Sequence, residues 1–347
     1  MSESHTTTGV THYEVQKKRR LSTLEEWRGY RKTVIPTDPS KLVDTPRRMK
    51  RAVQVSKDGD APSQVLDANL HEIPPHTVST VHRHSWDAIV FITGGSGWTE
   101  IDGKRIQWQP WDTLHIPAWS WHRHGNDVDR PATFTTWSVQ PMFEIFNAAI
   151  LEEGGDAPFE DLPPAPVPAV AVEGDDPYSR RVRRLLGQSR PEDARLITRF
   201  EDAPFKVTPR GARSAFLVDQ SIGYHTTGLT AVWHQLAPGL FQSRHRHGGD
   251  AWLYCVSGHG HTEIDGEAYE WGPGDLVVVD YFAWHQHFND SKDEIASLIR
   301  VHNFDTLYMS MRVMLDPLDL FEELPKLDAP DLTNVVWPPV DEGRPLA

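Results

Sequence analysis

The sequence predicts an all-β protein made of two tandem antiparallel barrels, and three observations carry that prediction. First, residues 82–127 (HRHSWDAIVFITGGSGWTEIDGKRIQWQPWDTLHIPAWSWHRHGND) align without a gap with residues 245–290 (HRHGGDAWLYCVSGHGHTEIDGEAYEWGPGDLVVVDYFAWHQHFND). Twenty of 46 positions are identical at a constant offset of 163. A period this long means two whole domains of one architecture, because solenoid units run only about 20 to 50 residues. Second, each copy is a series of short β-branched and aromatic runs (DAIVFI, RIQW and DTLHIP, then AWLYCV, AYEW and DLVVVD) punctuated by GGSG, SGHG and GPGD, the signature of closely spaced strands. Third, TEIDG recurs at 99–103 and 262–266, and Asp-Gly between two strand-like runs specifies a tight hairpin. Such a series closes into a barrel or sandwich.

In chain order, residues 1–60 form an N-terminal arm. Within it, 21–31 read as a helix whose capping box is Ser22 with Glu25. The first barrel takes 61–150 and the second 200–312. Between them, 151–199 is a connector: 152–176 carries eight acidic residues, no Lys or Arg, and the run PPAPVP, a composition that favours an extended, solvated chain. The stretch YSRRVRRLLGQSR that follows reads as a short helix whose Arg180, Arg181, Arg183 and Arg184 form a solvated face answering the acidic run. Residues 313–347 are a tail in which 316–324, with Asp316 as cap and Pro317 in the first turn, predict one more short helix.

Composition narrows the function classes. Asp and Glu number 49 against 35 Lys and Arg, a formal charge of −14, which is the wrong sign for tracking phosphates, so neither nucleic acid nor an anionic membrane is an expected partner. The single Cys255 lies in the apolar run WLYCV and supports no disulfide framework. The first twenty residues have no apolar core for a signal peptide, and no stretch approaches about 18 continuous apolar residues. A cytoplasmic location is the expectation.

The chemical signal is the histidines. Of 18, eight fall in four H-x-H pairs that recur at matched positions in the two copies: His82/His84, His122/His124, His245/His247 and His285/His287. Residues i and i+2 of a strand share a face, so two imidazoles converge on one ion inside a barrel and a third arrives from a neighbouring strand. This predicts metal ligands His82, His84 and His122 in the first copy and His245, His247 and His285 in the second. Matched pairs in two copies argue against satisfied core histidines. Three neutral imidazoles leave up to three positions open on a six-coordinate ion, which suits a substrate and dioxygen or an activated water. The ligand set alone admits nickel, copper and zinc as well as iron.

On HRHSWDAIVFITGGSGWTEIDG and PAWSWHRHGND, extending more weakly upstream through PRRMKRAVQV, the chain resembles a bicupin, and within the cupins the gentisate 1,2-dioxygenase group, which includes the salicylate and 1-hydroxy-2-naphthoate dioxygenases. The resemblance implies two double-stranded β-helix (jelly-roll) barrels, a homo-oligomer, and non-haem Fe(II), one or two ions per chain. It also implies a small aromatic substrate chelated through hydroxyl and carboxylate oxygens, and ring opening with insertion of both atoms of O2. Carried over by position, His124, and by the repeat His287, would hydrogen-bond substrate or bound oxygen. Where many cupins carry a ligand Glu after the second His, Ala88 and Ile89 stand here, as in the gentisate group. Two departures are notable. The group's carboxylate-holding Arg is replaced by Val90, with Leu253 in the repeat, so Arg47, Arg48 or Arg51 is expected to supply the charge. The second triad, which the group normally degrades, is intact.

Softer assignments complete the site. Trp98 and Glu100 share strand parity, as do His261 and Glu263, so one of these pairs is expected to face the barrel interior; Trp86, Trp119 and Trp121 are candidates for an aromatic wall. Asp87 and Asp250 are candidates to orient a ligand imidazole. The substrate-binding set is thus Trp86, Val90, Trp98 and Arg51. Two other readings stay open on the residues alone: a metal-dependent decarboxylase, isomerase or lyase that consumes no O2, and a non-catalytic small-molecule-binding cupin.

Overall fold

The computed structural model describes residues 11–30, 32–59, 61–164, 172–186, 190–247, 251–280, 283–303 and 328–346. The chain forms two compact units divided after Lys32. The smaller contains one helix, His12–Tyr30. It begins about ten residues earlier than expected, because the working capping box is Thr11 with Glu14: the Thr11 N–H donates to Glu14 Oε2 (2.9 Å) and the Glu14 N–H to Thr11 Oγ1 (3.3 Å). Ser22 lies inside the helix and donates to the Arg19 carbonyl instead.

The larger unit is all-β and holds two barrels of matching design, as the repeat requires. In the first, a seven-stranded antiparallel sheet runs in the order 197–198, 113–116, 88–94, 132–138, 67–73, 50–55, 43–44, and faces a sheet of 151–155, 81–84, 122–126, 97–101 and 104–108, with Thr77–Val78 also paired to 122–126. The second barrel repeats this with a seven-stranded sheet (34–35, 276–279, 251–257, 296–303, 229–236, 213–218, 206–207) and a smaller one of 267–271, 260–264 and 285–289. The TEIDG hairpins close as expected. Asp102 and Gly103 have φ of 48° and 80°, and Asp265 and Gly266 51° and 91°, the paired positive values of the primed two-residue turn that matches strand twist.

The barrels exchange strands. Val34–Ile35, which precedes the first barrel, pairs antiparallel with Leu276 and Val277 of the second; Ile197–Thr198, which precedes the second, pairs with Thr113 and Leu114 of the first. Each residue in one contact is 163 removed from its counterpart in the other, so the exchange is reciprocal and keeps the repeat's symmetry. The boundaries at 60 and 200 therefore separate sequence segments rather than hydrogen-bonded bodies. The connector differs from the solvated chain expected of its composition: Leu151–Gly155 is a strand of the first barrel, paired with Val81–His84. Farther on, buried Arg83 donates to the Pro163 and Pro164 carbonyls (both 3.0 Å) and Trp121 Nε1 to that of Pro163 (2.8 Å). The basic helix forms as expected, Pro177–Leu186, whereas the helix expected at 316–324 lies outside the described residues.

The largest core lies between the two seven-stranded sheets. Phe91, Trp111 and Trp137 from the first half of the chain meet Phe200, Trp233, Trp252 and Tyr254 from the second. Ring centroids are 4.8 Å apart for Trp111–Trp233, 4.9 Å for Phe200–Trp233 and 5.7 Å for Trp137–Tyr254. Four of the chain's 13 tryptophans meet at this seam, where large rings supply the area that holds two barrels together. The tail returns across it: Arg344 Nε donates to the Pro110 carbonyl and Gln235 Nε2 to that of Val340, both at 2.8 Å.

Candidate metal centres and the adjoining cavity

Strand alternation does locally what the H-x-H spacing predicts. His82 and His84 point inward from Val81–His84 while Arg83 between them points out, ion-paired to Glu152 and stacked over Trp121 (4.5 Å). His122 sits directly across from His82 in the ladder. The potential ligand atoms of His82, His84 and His122 all lie within 4.8 Å of one another, and so do those of His245, His247 and His285. Centroid separations within the first triad are 4.1, 4.9 and 5.9 Å, and within the second 4.2, 4.9 and 5.9 Å.

The donor chemistry fits a divalent first-row ion. His84 Nδ1–H donates to the Trp86 carbonyl (2.6 Å) and His122 Nδ1–H to that of Ser120 (2.9 Å), so the proton is held on Nδ1 and the lone pair on Nε2. Burial pushes His82 and His122 well below the ordinary imidazole range, and His84 down to about 4, so all three are neutral, the form that ligates. Among the described residues, no carboxylate joins either triad.

The first triad opens on a cavity of about 420 Å³, also lined by Arg47, Arg51, Asp67, Asn69, His71, Trp86, Val90, His124 and Phe134. Of the expected substrate residues, Arg51, Trp86 and Val90 are here. Trp86 lies flat on the His84 ring, centroids 4.7 Å apart at 9°. The cations differ in what balances them. Arg47 forms a two-pronged ion pair with Glu153, and Arg48 turns away to Asp156. Arg51 is held by a neutral group: Nε and Nη2 both donate to Asn69 Oδ1, at 2.9 and 2.8 Å.

Trp98 is a correction. Its indole is buried, but on the outer layer of the small sheet, sandwiched by Gly125 and the Arg105 guanidinium (3.7 Å), with Nε1–H donating to Asp127 (2.8 Å). Glu100 shares that side, paired with Arg123. The opposite parity faces inward, so Thr99 approaches His124. Trp108 Nε1–H donates to Thr99 Oγ1 (3.0 Å), and Thr99 Oγ1 lies 2.8 Å from His124 Nδ1. Since Trp108 only donates, the buried Thr99 hydroxyl hydrogen has His124 Nδ1 as its acceptor. His124, pushed down to about 4 by burial, with Arg47 and His84 adding to it, then carries its proton on Nε2. Trp271, Thr262 and His287 repeat this chain at 3.0 and 2.9 Å.

Other softer candidates take different places. Asp87 does not touch a ligand imidazole; it accepts from His115 Nε2 (3.0 Å) and from the Thr227 N–H (3.1 Å), tying the first barrel to the second. Asp250 lies outside the described residues. Trp119 and Trp121 flank Arg83 outside the cavity. Residues the motifs did not single out also line it: His71, stacked on Phe134 (4.9 Å), Asn69, and Asp67, whose carboxyl burial raises to about 6. One signal was within reach, because His71 and Arg47 recur at the 163 offset as His234 and Arg210.

Comparison with known proteins agrees with this architecture. The cupin domain family matches residues 69–138 and 232–302. The chain is 27% identical over 231 residues to 5-aminosalicylate 1,2-dioxygenase of Comamonas sp, covering 61% of this chain and 59% of that one. It is 37% identical over 229 residues to gentisate 1,2 dioxygenase 1 of Aquipseudomonas alcaligenes, covering 62% and 63%. It thus spans about three fifths of the length of these relatives. Among solved structures it superposes on a salicylate 1,2-dioxygenase from Pseudaminobacter salicylatoxidans with a TM-score of 0.57 at 20% identity, covering 74% of this chain and 75% of the other, a likeness of fold. Among the described residues no helix is long and apolar enough to cross a membrane.

Proposed function

We propose that this chain, a bicupin related to the gentisate- and salicylate-type 1,2-dioxygenases, is a ring-cleaving dioxygenase of a hydroxylated aromatic acid, with its working centre in the first barrel. The observation that carries the reading is three neutral, convergent imidazoles in the wall of a cavity that also holds an Arg hydrogen-bonded to an amide rather than clamped by a carboxylate. When bound by His82, His84 and His122, Fe(II) supplies open positions for substrate oxygens and O2 and passes electrons between them.

The chain's own residues do the rest. Arg51, fixed by Asn69, keeps three of its five N–H groups for a substrate carboxylate. It takes the part of the Arg that Val90 replaces. Arg47, already paired with Glu153, is the poorer anchor. Trp86, Val90 and Phe134 give apolar walls to a planar ring, and a volume of about 420 Å³ lies within the usual range for small-molecule sites. His124 presents Nε2–H as a hydrogen-bond donor to oxygen, held in that tautomer by Thr99.

The test is oxygen uptake by Fe(II)-loaded protein on gentisate, salicylates, hydroxynaphthoates and carboxyl-free hydroquinones. One O2 consumed per hydroxy acid, with the absorbance of a ring-opened product, is expected; no uptake on any of them refutes the proposal. A homo-oligomer, proposed on the same resemblance, is checked by light scattering.

A further inference from the structure

The second barrel carries a full triad that the proposed reaction does not use. Its three centroid separations match those of the first to within 0.1 Å, and the interplanar angles are 56°, 76° and 49° against 55°, 75° and 52°. Two of its rings are fixed by backbone carbonyls: His245 Nδ1–H donates to Ser243 (2.8 Å) and His285 Nδ1–H to Ala283 (2.9 Å), leaving both Nε2 lone pairs to the interior. A packed histidine cluster is satisfied by donors meeting acceptors. Here potential ligand atoms converge within 4.8 Å, and a bridge that sets His245 across from His285 repeats the pairing of His82 with His122.

The surroundings of this triad have diverged although the triad has not. At the 163 offset, Arg51, Asn69 and Asp67 become Ser214, Val232 and Thr230, and Trp86 becomes Gly249. In place of Val139 the second barrel has His302, whose Nε2 lies 3.2 Å from Thr230 Oγ1. The Arg51–Asn69 pair has no counterpart, Arg210 and Arg300 being the cations that act on this triad, and the ion-holding geometry is kept. We infer that His245, His247 and His285 form a second centre for a divalent first-row metal ion, independent of the hydroxy-acid site in the first barrel. Three imidazoles suit Fe(II), Co(II), Ni(II) or Zn(II), and the order of affinity among these does not distinguish them.

The test is metal stoichiometry of the full chain loaded anaerobically with Co(II) as the probe, then with Fe(II), with bound metal counted after desalting and the visible Co(II) bands recorded. The expectation is about two ions per wild-type chain, one for His247→Ala and one for His84→Ala, with only His84→Ala abolishing oxygen uptake. One ion per wild-type chain, unchanged in His247→Ala, overturns the inference and leaves the dioxygenase reading standing. Two ions without uptake on any aromatic acid does the reverse. The wild-type count stands even if a variant fails to fold.

Discussion

Replacing Arg51 by Met removes the charge proposed to hold the substrate carboxylate while keeping an apolar stem of similar length. The guanidinium spends two N–H groups on Asn69 Oδ1, at 2.9 and 2.8 Å, which leaves three for a ligand. A hydrogen bond to a charged group is worth about 1.5–3 kcal/mol, so at about 1.4 kcal/mol per tenfold the loss is roughly 10- to 150-fold in kcat/KM. The variant also strips Asn69 Oδ1 of its partner, costing about 1–3 kcal/mol of stability, but that cost is the same whatever the substrate. The assay is therefore a ratio: oxygen-electrode kcat/KM for a 2,5-dihydroxybenzoate against that for the matching hydroquinone, which lacks the carboxyl group. The acid should fall by the stated factor and the hydroquinone by no more than about twofold. Arg51→Lys, which keeps the charge but not the fork, should recover part of the loss. Equal losses on both compounds would refute the assignment and leave Arg51 a structural group.

Three further expectations follow from other contacts. Thr99→Val takes the hydroxyl from His124 Nδ1 and frees its tautomer, so kcat should fall at least about tenfold with KM little changed, while Thr99→Ser restores it; equal damage by Val and Ser in steady-state kinetics would show packing, not the hydroxyl, to matter. Asp67 has its folded pKa raised from 3.8 to about 6, so its uncharged form is favoured in the fold: the stabilisation is full below about pH 4 and is lost as pH rises through about 6. At 1.36 kcal/mol per pH unit the swing is about 3 kcal/mol. Urea titrations of Asp67→Asn should show a correspondingly smaller decline in stability from pH 4 to 8, and an unchanged decline would remove Asp67 as its source. Trp233→Ala, at the seam where Trp111, Phe200 and Phe91 converge, should cost about 3–5 kcal/mol in the same titration, and a loss under 1 kcal/mol would contradict the packing described.

The two triads show what strand-local patterning can reach. His-x-His places two rings on one face whatever the rest of the chain does, and an offset of 163 that holds without a gap through strands and turns repeats the third ligand in each copy. The Asp-Gly hairpins were legible for the same reason, since their backbone demands are met by two adjacent residues. Trp98 shows the limit. Period-two alternation says that Trp98 and Glu100 share a side and that Thr99 takes the other; which side is inward depends on pairing with residues 122–126 and 104–108. An indole buried beneath an Arg on the outer layer and one buried in the cavity read alike in sequence.

The duplicated all-β architecture, the strand-and-turn pattern and the converging histidines are therefore legible in the chain alone, because each follows from residues a few positions apart or from direct repetition. That each barrel borrows its edge strand from the segment before the other, that Arg51 is held by an amide while Arg47 is ion-paired to Glu153, and that Thr99 orients His124 emerge only in the assembled fold. Those outcomes rest on partners 18, 25 or 106 residues away or across the whole repeat. Such partners are chosen by sheet register and burial, whose energies belong to the assembled fold rather than to any single strand.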